Sequence, residues 1–210
     1  MIAILDYKAG NQTSVLRACR RLGIGACITD ESAVLLGADG IIFPGVGAAG
    51  QAMERLKSAG QDIVLREAAA RGIPILGICL GCQILLERSE ENDTETLGIL
   101  PGVCRRFRED MTDGGERIKI PHMGWNRLEI TADSPLLRGV RTGDAVYYVH
   151  SYYPDPAEGL ALAWTEYGTR FPGAFGRDGL WAVQFHPEKS GPVGLSILRN
   201  FSDYCGRAAR

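Results

Sequence analysis

The stretch Gly77-Ile78-Cys79-Leu80-Gly81 decides the fold. It follows an apolar, strand-like run, Ile73–Ile78, and precedes a segment, Gln83–Arg88, that is typical of the first turns of a helix. A strand, a sharp turn and a helix with a nucleophile at the bend form a nucleophile elbow, whose central residue has a strained backbone. Glycines lie two positions to either side because larger side chains would collide with the strand and helix. The spacing therefore predicts that Cys79 is a nucleophile, and the adjacent helix start favours its thiolate.

Cys79 also forms a C-x-x-C pair with Cys82, which is typical of thiol oxidoreductases and some metal sites. The residues between them are Leu80 and Gly81, and the sequence has no second C-x-x-C or His-x-x-His pair to complete a metal site. We therefore favour the nucleophile over a redox or metal role, and the role of Cys82 stays open.

Length and composition restrict the class of protein. With 210 residues and 45% hydrophobic residues, the chain is long enough for a single α/β domain over residues 1–210. Its 23 basic and 25 acidic residues give a net charge of −2, which argues against nucleic acid or an anionic membrane as a partner. Residues 1–6 do not have the basic segment of a cleavable leader, and no apolar run is long enough to span a bilayer. The sequence contains no P-loop or dinucleotide-binding motif. We expect a cytoplasmic protein with reduced cysteines, no cofactor and no metal.

Alternating strands and helices predict a mostly parallel sheet with helices on both faces. In such sheets the site lies beyond the carboxyl ends of the strands. The predicted strands are 2–6, 26–29, 39–43 and 73–78, and the predicted helices are 12–22, 51–57 and 63–71. After residue 97 we expect an exposed hairpin or loop at 105–117, an antiparallel extension of the sheet (121–126, 145–153, 161–164, 171–175), a strand at 179–185 and a helix at 194–204.

Two further segments lie where strands end. Pro44-Gly45-Val46-Gly47 is a glycine-rich turn that leaves backbone N–H groups uncovered. His186-Pro187-Glu188 ends the strand at 179–185, and alternation along an extended segment would put His186 and Glu188 on one side. Together with the elbow these residues predict a Cys-His-Glu triad of thiolate nucleophile, general acid/base and orienting carboxylate.

These three motifs, at 77–83, 44–47 and 186–188, resemble the three signatures of class I glutamine amidotransferases, in the same order and spacing. The resemblance spans nearly the whole chain. The resemblance implies that a thiolate attacks the side-chain amide of glutamine, forms a glutamyl thioester and releases ammonia. Carried over by position, it makes Cys79 the nucleophile, His186 the acid/base and Glu188 the orienter. The amides of Val46 or Gly47 and of Leu80 would form the oxyanion hole. Gln83, Glu91 and the backbone near Ser151 and Tyr152 would bind glutamine, with Glu87 or Glu90 as alternatives to Glu91.

Segments outside the triad resemble one subfamily, the glutaminase subunits of imidazole glycerol phosphate synthase in histidine biosynthesis. They are Asp6-Tyr7 with Gly10-Asn11 and Ser14, then 121–126, 148–153 and 186–190. The resemblance implies a heterodimer with a separate (β/α)₈ cyclase subunit, which receives ammonia through a tunnel and makes imidazole glycerol phosphate and AICAR. It places Asn11, Trp125, Tyr152 and Lys189 at or near the interface. Two positions depart from the pattern: Lys8 stands where glycine is usual, and Cys82 where methionine is usual.

Other functions remain open from the sequence. The chain could be the glutaminase component of another synthase, such as anthranilate synthase, although Lys189 and the Gly124-Trp125-Asn126 segment argue against it. It could also be a non-catalytic regulatory module of the same fold, or a cysteine hydrolase of related fold. We expect the amidotransferase fold to take up all 210 residues, without a synthetase or cyclase domain, so that the free ammonia would need a partner. Glutamate release that depends on that partner would separate these possibilities.

Overall fold

The computed structural model describes residues 1–8, 10–113 and 115–208. Within these ranges the strands are β1 (Ile2–Leu5), β2 (Ala26–Thr29), β3 (Gly40–Gly45), β4 (Ile75–Cys79), β5 (Arg88–Ser89), β6 (Thr94–Glu95), β7 (Gly102–Arg106), β8 (Thr112–Asp113), β9 (Glu116–Arg117), β10 (His122–Arg127), β11 (Glu129–Ile130), β12 (Ala145–His150), β13 (Tyr152–Pro156), β14 (Ala161–Glu166), β15 (Arg170–Arg177) and β16 (Leu180–Val183). The helices are α1 (Gln12–Arg21), α2 (Ser32–Leu36), α3 (Ala49–Ser58), α4 (Gln61–Ala70), α5 (Leu80–Ile84) and α6 (Gly191–Ala208), with 3₁₀ turns at Glu91–Asp93, Pro135–Leu137 and Pro187–Lys189.

The main sheet has the strand order β11-β14-β15-β16-β4-β3-β1-β2. Strands β2, β1, β3, β4 and β16 run parallel, and β15, β14 and β11 continue the sheet antiparallel. The central strands β1, β3 and β4 are buried along their whole length, as expected for parallel strands that are covered on both faces. The predicted α/β class, mostly parallel with antiparallel strands in the C-terminal half, is confirmed.

Helices cover both faces of this sheet. Consecutive residues of β1 belong to different apolar clusters: Ile4 packs in the cluster that contains α1 and α6 residues, and Leu5 in the one with α3 and α4 residues. The alternation follows from the period of two along a strand. None of the helices in the described part of the chain is long and apolar enough to cross a membrane.

Part of the antiparallel prediction was wrong. The segments 121–126 and 145–153 do not extend the main sheet: β10 pairs with β12 in a separate two-stranded ribbon, and β13 joins the sheet β13-β7-β5-β6. The run 145–153 is broken by a bend at Ser151, so its two halves pair with different partners. The charged segment 105–117 is confirmed as carrying a hairpin, β8–β9, although its first residues belong to β7.

The helix after the elbow also differs from the prediction. It begins at Leu80 and ends at Ile84, rather than running from Gln83 to Arg88. The carbonyls of Ile84, Leu85 and Leu86 accept hydrogen bonds from the amides of residues 97–100, which takes away the acceptors that a longer helix would need. Helix α2 was not predicted.

Candidate active site

The parallel register brings the ends of three strands together. Gly45 at the end of β3 is paired with Cys79 at the end of β4, and Val183 at the end of β16 is paired with Ile78. The turn after β3, the elbow after β4 and the segment leading to His186 therefore leave the sheet at one edge. This is the edge at which open α/β sheets carry their sites.

The backbone at Cys79 has the strained geometry of a nucleophile elbow, with φ 54° and ψ −112°. A side chain at Gly81 would place its Cβ 1.9 Å from the carbonyl oxygen of Phe43. A Cβ at Gly77 would lie 2.6 Å from Leu85 Cδ1 and 2.9 Å from the Cα of Cys82. The predicted elbow is confirmed. Its two positions require glycine because atoms of Phe43, Leu85 and Cys82 occupy the space that a side chain would need.

His186 and Glu188 form a buried hydrogen-bonded pair. His186 Nδ1 lies 2.9 Å from Glu188 Oε1, and the two side chains are 3% and 0% exposed. The side-chain amide of Asn11 donates to the same carboxylate oxygen at 2.9 Å. Because a carboxylate only accepts, Nδ1 carries a hydrogen and Nε2 is the ring nitrogen left for chemistry. Nε2 has no partner of standard hydrogen-bond geometry among the described residues.

The electrostatic surroundings favour a protonated imidazole. Burial lowers the pKa of His186, but negative charge at the Cys79 sulfur and at the Glu188 carboxylate raises it more, to about 10, well above its ordinary 6.5. The ring therefore holds its proton at neutral pH beside the sulfur. An imidazolium in this position stabilises a thiolate.

The contact between His186 and Glu188 is made by a turn, and not by the extended alternation that the sequence suggested. His186 has extended backbone angles, but Pro187–Lys189 is a 3₁₀ turn that brings Glu188 back under the ring. The Ser190 hydroxyl donates to the His186 carbonyl at 2.6 Å and accepts from the Tyr147 amide at 2.9 Å. The His186 amide donates to the Tyr147 carbonyl at 2.9 Å, so strand β12 holds the turn in place.

A cavity of about 370 Å³ opens beside Cys79. Its lining includes Cys79 and His186 and every residue expected for the oxyanion hole and for glutamine binding: Val46, Gly47, Leu80, Gln83, Glu91, Ser151 and Tyr152. Pro121, Val149 and His150 complete the wall. A larger cavity, of about 800 Å³, shares Ser151 and Tyr152 with this one and is lined by neither Cys79 nor His186.

The structure separates Glu91 from its two alternatives. Glu91 lines the cavity, where its Oε2 accepts a hydrogen bond from the Ala49 amide at 2.6 Å. Glu87 Oε2 instead accepts from the Gly102 amide, and Glu90 binds the Arg106 amide. Only Glu91 of the three lines the cavity.

Gln184 was missed by the sequence analysis. It is fully buried just beyond β16, and its Oε1 accepts from Gln83 Nε2 at 2.9 Å while its Nε2 lies 3.8 Å from Cys79 Sγ. The signal was available: an amide in an otherwise apolar strand, two residues before His186, is costly to bury without partners.

The residues assigned to a partner surface have different environments. Asn11 contacts Glu188, which places its amide in the candidate site. Trp125 is 58% exposed and lies on β10 next to another exposed apolar residue, Met123. Lys189 is exposed and Tyr152 is half-buried.

The two positions that depart from the family pattern have simple local explanations. Lys8 has a φ of 60°, a left-handed conformation that glycine adopts more easily, and its ammonium pairs with Asp6 and Asp30. Cys82 is buried in α5, and burial raises the pKa of its thiol well above its ordinary value, which disfavours the thiolate needed for redox exchange with Cys79. All six cysteines lie within the described ranges as free thiols. Those ranges contain no group of three or more His, Cys, Asp or Glu placed to bind a metal.

Residues 3–204 match the family "Glutamine amidotransferase class-I", and the chain belongs to this family. Within it, the chain is 59% identical over 206 residues to the imidazole glycerol phosphate synthase subunit HisH of Desulfovibrio desulfuricans, covering 98% of this chain and 95% of that protein. It is 55% identical to the HisH subunit of Nitratidesulfovibrio vulgaris, covering 100% of both chains. These relatives are named as subunits of a synthase.

Solved structures show the same fold at low sequence identity. A crystal structure described as a glutamine amidotransferase superimposes with a TM-score of 0.74 at 21% identity, covering 98% of both chains. The structure of PurLQS from Thermotoga maritima gives a TM-score of 0.72 at 18% identity, covering 97% of both.

Proposed function

We propose that this chain is the glutaminase subunit of an imidazole glycerol phosphate synthase, which hydrolyses glutamine to glutamate and ammonia for histidine biosynthesis. The observation that carries the proposal is the buried His186–Glu188 pair at 2.9 Å beside Cys79, in a cavity that the predicted glutamine-binding residues line. The 55–59% identity to HisH subunits supports this synthase over others such as anthranilate synthase.

The first chemical step is attack by the Cys79 thiolate on the side-chain carbonyl carbon of glutamine. His186, protonated at neutral pH, stabilises the thiolate and then gives its Nε2 proton to the leaving nitrogen as the C–N bond breaks. This leaves a glutamyl thioester and free ammonia. His186 then takes a proton from water, which attacks the thioester and releases glutamate and the thiolate. Glu188 holds Nδ1–H throughout and keeps Nε2 directed at the reacting atoms.

The negative oxygen formed in each attack needs hydrogen-bond donors. We assign this role to the amide of Leu80, at the start of α5, and to that of Val46 or Gly47. Each oxyanion donor in such a site is worth roughly 2.7–4 kcal/mol. Gln83 and Glu91 would bind the amino-acid end of glutamine, with the backbone at Ser151 and Tyr152.

We infer that the partner is the cyclase subunit, and that it receives the ammonia. The exposed Met123 and Trp125 side chains on β10 form an apolar surface of the kind that protein interfaces bury. Lys189, three residues beyond His186, is exposed and available to the same partner. We further propose that residues 1–210 form one amidotransferase domain and that the protein is cytoplasmic; the family match over residues 3–204 supports the first point.

The test is glutamate release from glutamine by the purified chain, alone and with the cyclase subunit loaded with its ribonucleotide ligand. We expect activity that rises strongly with the loaded cyclase and is abolished by Cys79→Ala. Cys27→Ala is the matched control, because Cys27 lies on the edge strand β2, away from the cavity. Activity that does not respond to the cyclase would point to another synthase or to a free-standing cysteine hydrolase. No glutamate under either condition would favour a non-catalytic module.

A further inference from the structure

Two buried histidines outside the triad form a hydrogen-bonded pair. His122 and His150 face each other across the β10–β12 ribbon, and His122 Nδ1 lies 2.9 Å from His150 Nε2. They are 2% and 6% exposed. His122 is stacked between the rings of Tyr148 and Tyr167, at centroid distances of 4.7 and 3.9 Å. A polar pair in an aromatic cluster is costly to bury unless its hydrogen bonds are used.

The Tyr152 backbone carbonyl determines which ring nitrogen of each histidine carries a hydrogen. His150 Nδ1 lies 2.8 Å from the Tyr152 carbonyl, which only accepts, so Nδ1 carries the hydrogen. Burial and the nearby His122 and His186 lower the pKa of His150 to about 3, so its ring is neutral and its Nε2 is an acceptor. His122 must then donate from Nδ1 and accept at Nε2, where the Asn126 amide lies at 3.3 Å.

The same carbonyl also orients Gln83. Gln83 Nε2 donates to the Tyr152 carbonyl and to Gln184 Oε1, at 2.9 Å each. Both partners are acceptors in this arrangement, so the NH₂ group of Gln83 is held on the protein side. The carbonyl oxygen of the Gln83 amide is then the atom free to accept hydrogen bonds in the cavity that Gln83 lines. An acceptor suits the ammonium group of an amino acid substrate, whereas a flipped amide would present a donor to it.

We propose that His150 and His122 are positioning residues for glutamine binding: as a hydrogen-bonded pair they hold the Tyr152 carbonyl in place and thereby keep the Gln83 amide in its acceptor orientation. The proposal rests on the proposed function for the identity of the ligand, and on the geometry alone for the orientation of Gln83.

The decisive variant is His150→Leu, which removes the donor to Tyr152 and keeps an apolar side chain in the cluster. In the complex with the cyclase we expect the KM for glutamine to rise about tenfold with kcat little changed, because binding is lost without loss of the triad. His150→Asn should restore much of the KM, because its amide nitrogen can donate from nearly the same place. Phe171→Leu is the matched control: its ring lies 5.2 Å from that of His150 and is fully buried. We expect it to lower stability and leave KM unchanged.

A second readout does not depend on activity. In NMR spectra of the isolated chain, the Gln83 side-chain NH₂ signals should be protected from exchange in the unsubstituted protein and lose protection in His150→Leu. Both imidazoles should show a protonated Nδ1 and a bare Nε2. Unchanged Gln83 signals and an unchanged KM in His150→Leu would overturn the proposal. If His150→Leu does not fold, the tautomers in the unsubstituted protein decide: a protonated Nε2 on either histidine would overturn the proposal. If the unsubstituted complex released no glutamate, the proposed function would fail, and the NMR readouts would still decide whether the pair orients Gln83.

Discussion

The contact between Asn11 and Glu188 gives a sharp test of the candidate site. Asn11 precedes α1, but its side chain does not cap that helix; its amide donates instead to Glu188 Oε1 at 2.9 Å. The Glu188 side chain is fully buried, and Oε2 has no partner among the described residues. Asn11→Ala therefore removes one hydrogen bond to a buried carboxylate without disturbing a helix cap.

A hydrogen bond to a charged group contributes about 1.5–3 kcal/mol. Because Glu188 is buried and has few other donors, we expect Asn11→Ala to lower the free energy of unfolding of the isolated chain by about that amount. Asn11→Asp should cost more, since it places a second carboxylate against Glu188. Urea denaturation of the isolated subunit, with the partner absent, measures both.

The family resemblance placed Asn11 at or near the partner interface, and the two roles predict different results. If Asn11 acts only at the interface, Asn11→Ala would leave the unfolding midpoint of the isolated chain unchanged and weaken only its binding to the cyclase. That result would refute the reasoning from the Glu188 contact. Lys189→Ala, at an exposed position, is the control expected to leave the stability unchanged.

Three further predictions follow from the elbow, the triad and the exposed strand. Gly81→Ala should prevent folding or displace the elbow, because its Cβ would lie 1.9 Å from the Phe43 carbonyl oxygen. Gly50→Ala is the control: its Cβ would make only ordinary contact in the first turn of α3, so we expect no loss of stability. Equal melting temperatures of the two variants would contradict this reasoning. The pKa of His186 is raised to about 10, so the contribution of its protonated ring to stability is complete below pH 6.5 and falls as the pH rises toward 10. The free energy of unfolding of His186→Gln should lack this pH dependence. Urea denaturation of both proteins at several pH values measures the difference. Trp125→Ala should leave the stability of the isolated subunit nearly unchanged, because the ring is 58% exposed. The same variant should weaken binding to the cyclase by about 2 kcal/mol, as measured by calorimetry. An unchanged affinity would exclude Trp125 from the interface.

Features set by short-range geometry could be predicted from the sequence. The elbow at Cys79 follows from two glycines, a strand and a helix start within a few residues, and the parallel sheet follows from alternating elements. The meeting of Gly45 and Cys79 at one edge then follows from the way parallel strands align. The expected oxyanion and glutamine-binding residues of the cavity were found through the family resemblance, whereas Pro121, Val149 and His150, which also line it, were not expected there.

Features set by long-range pairing could not be predicted. The end of α5 depends on amides of residues 97–100, and the turn that joins His186 to Glu188 depends on Ser190 and β12. The pairing of His122 with His150 requires the register of two strands more than 20 residues apart in sequence. Each histidine alone gave no signal, because a hydrogen bond between them exists only in the folded chain.

The strained backbone at Cys79 sets a limit on how stable this protein can become while it stays active. Angles of φ 54° and ψ −112° are unfavourable for any residue with a side chain and cost about 1–3 kcal/mol. Glycine at position 79 would remove most of that strain, and with it the nucleophile, so the inactive protein is expected to be the more stable one. Selection for stability alone would therefore erode this position, and its cysteine is retained only as long as the reaction itself is under selection.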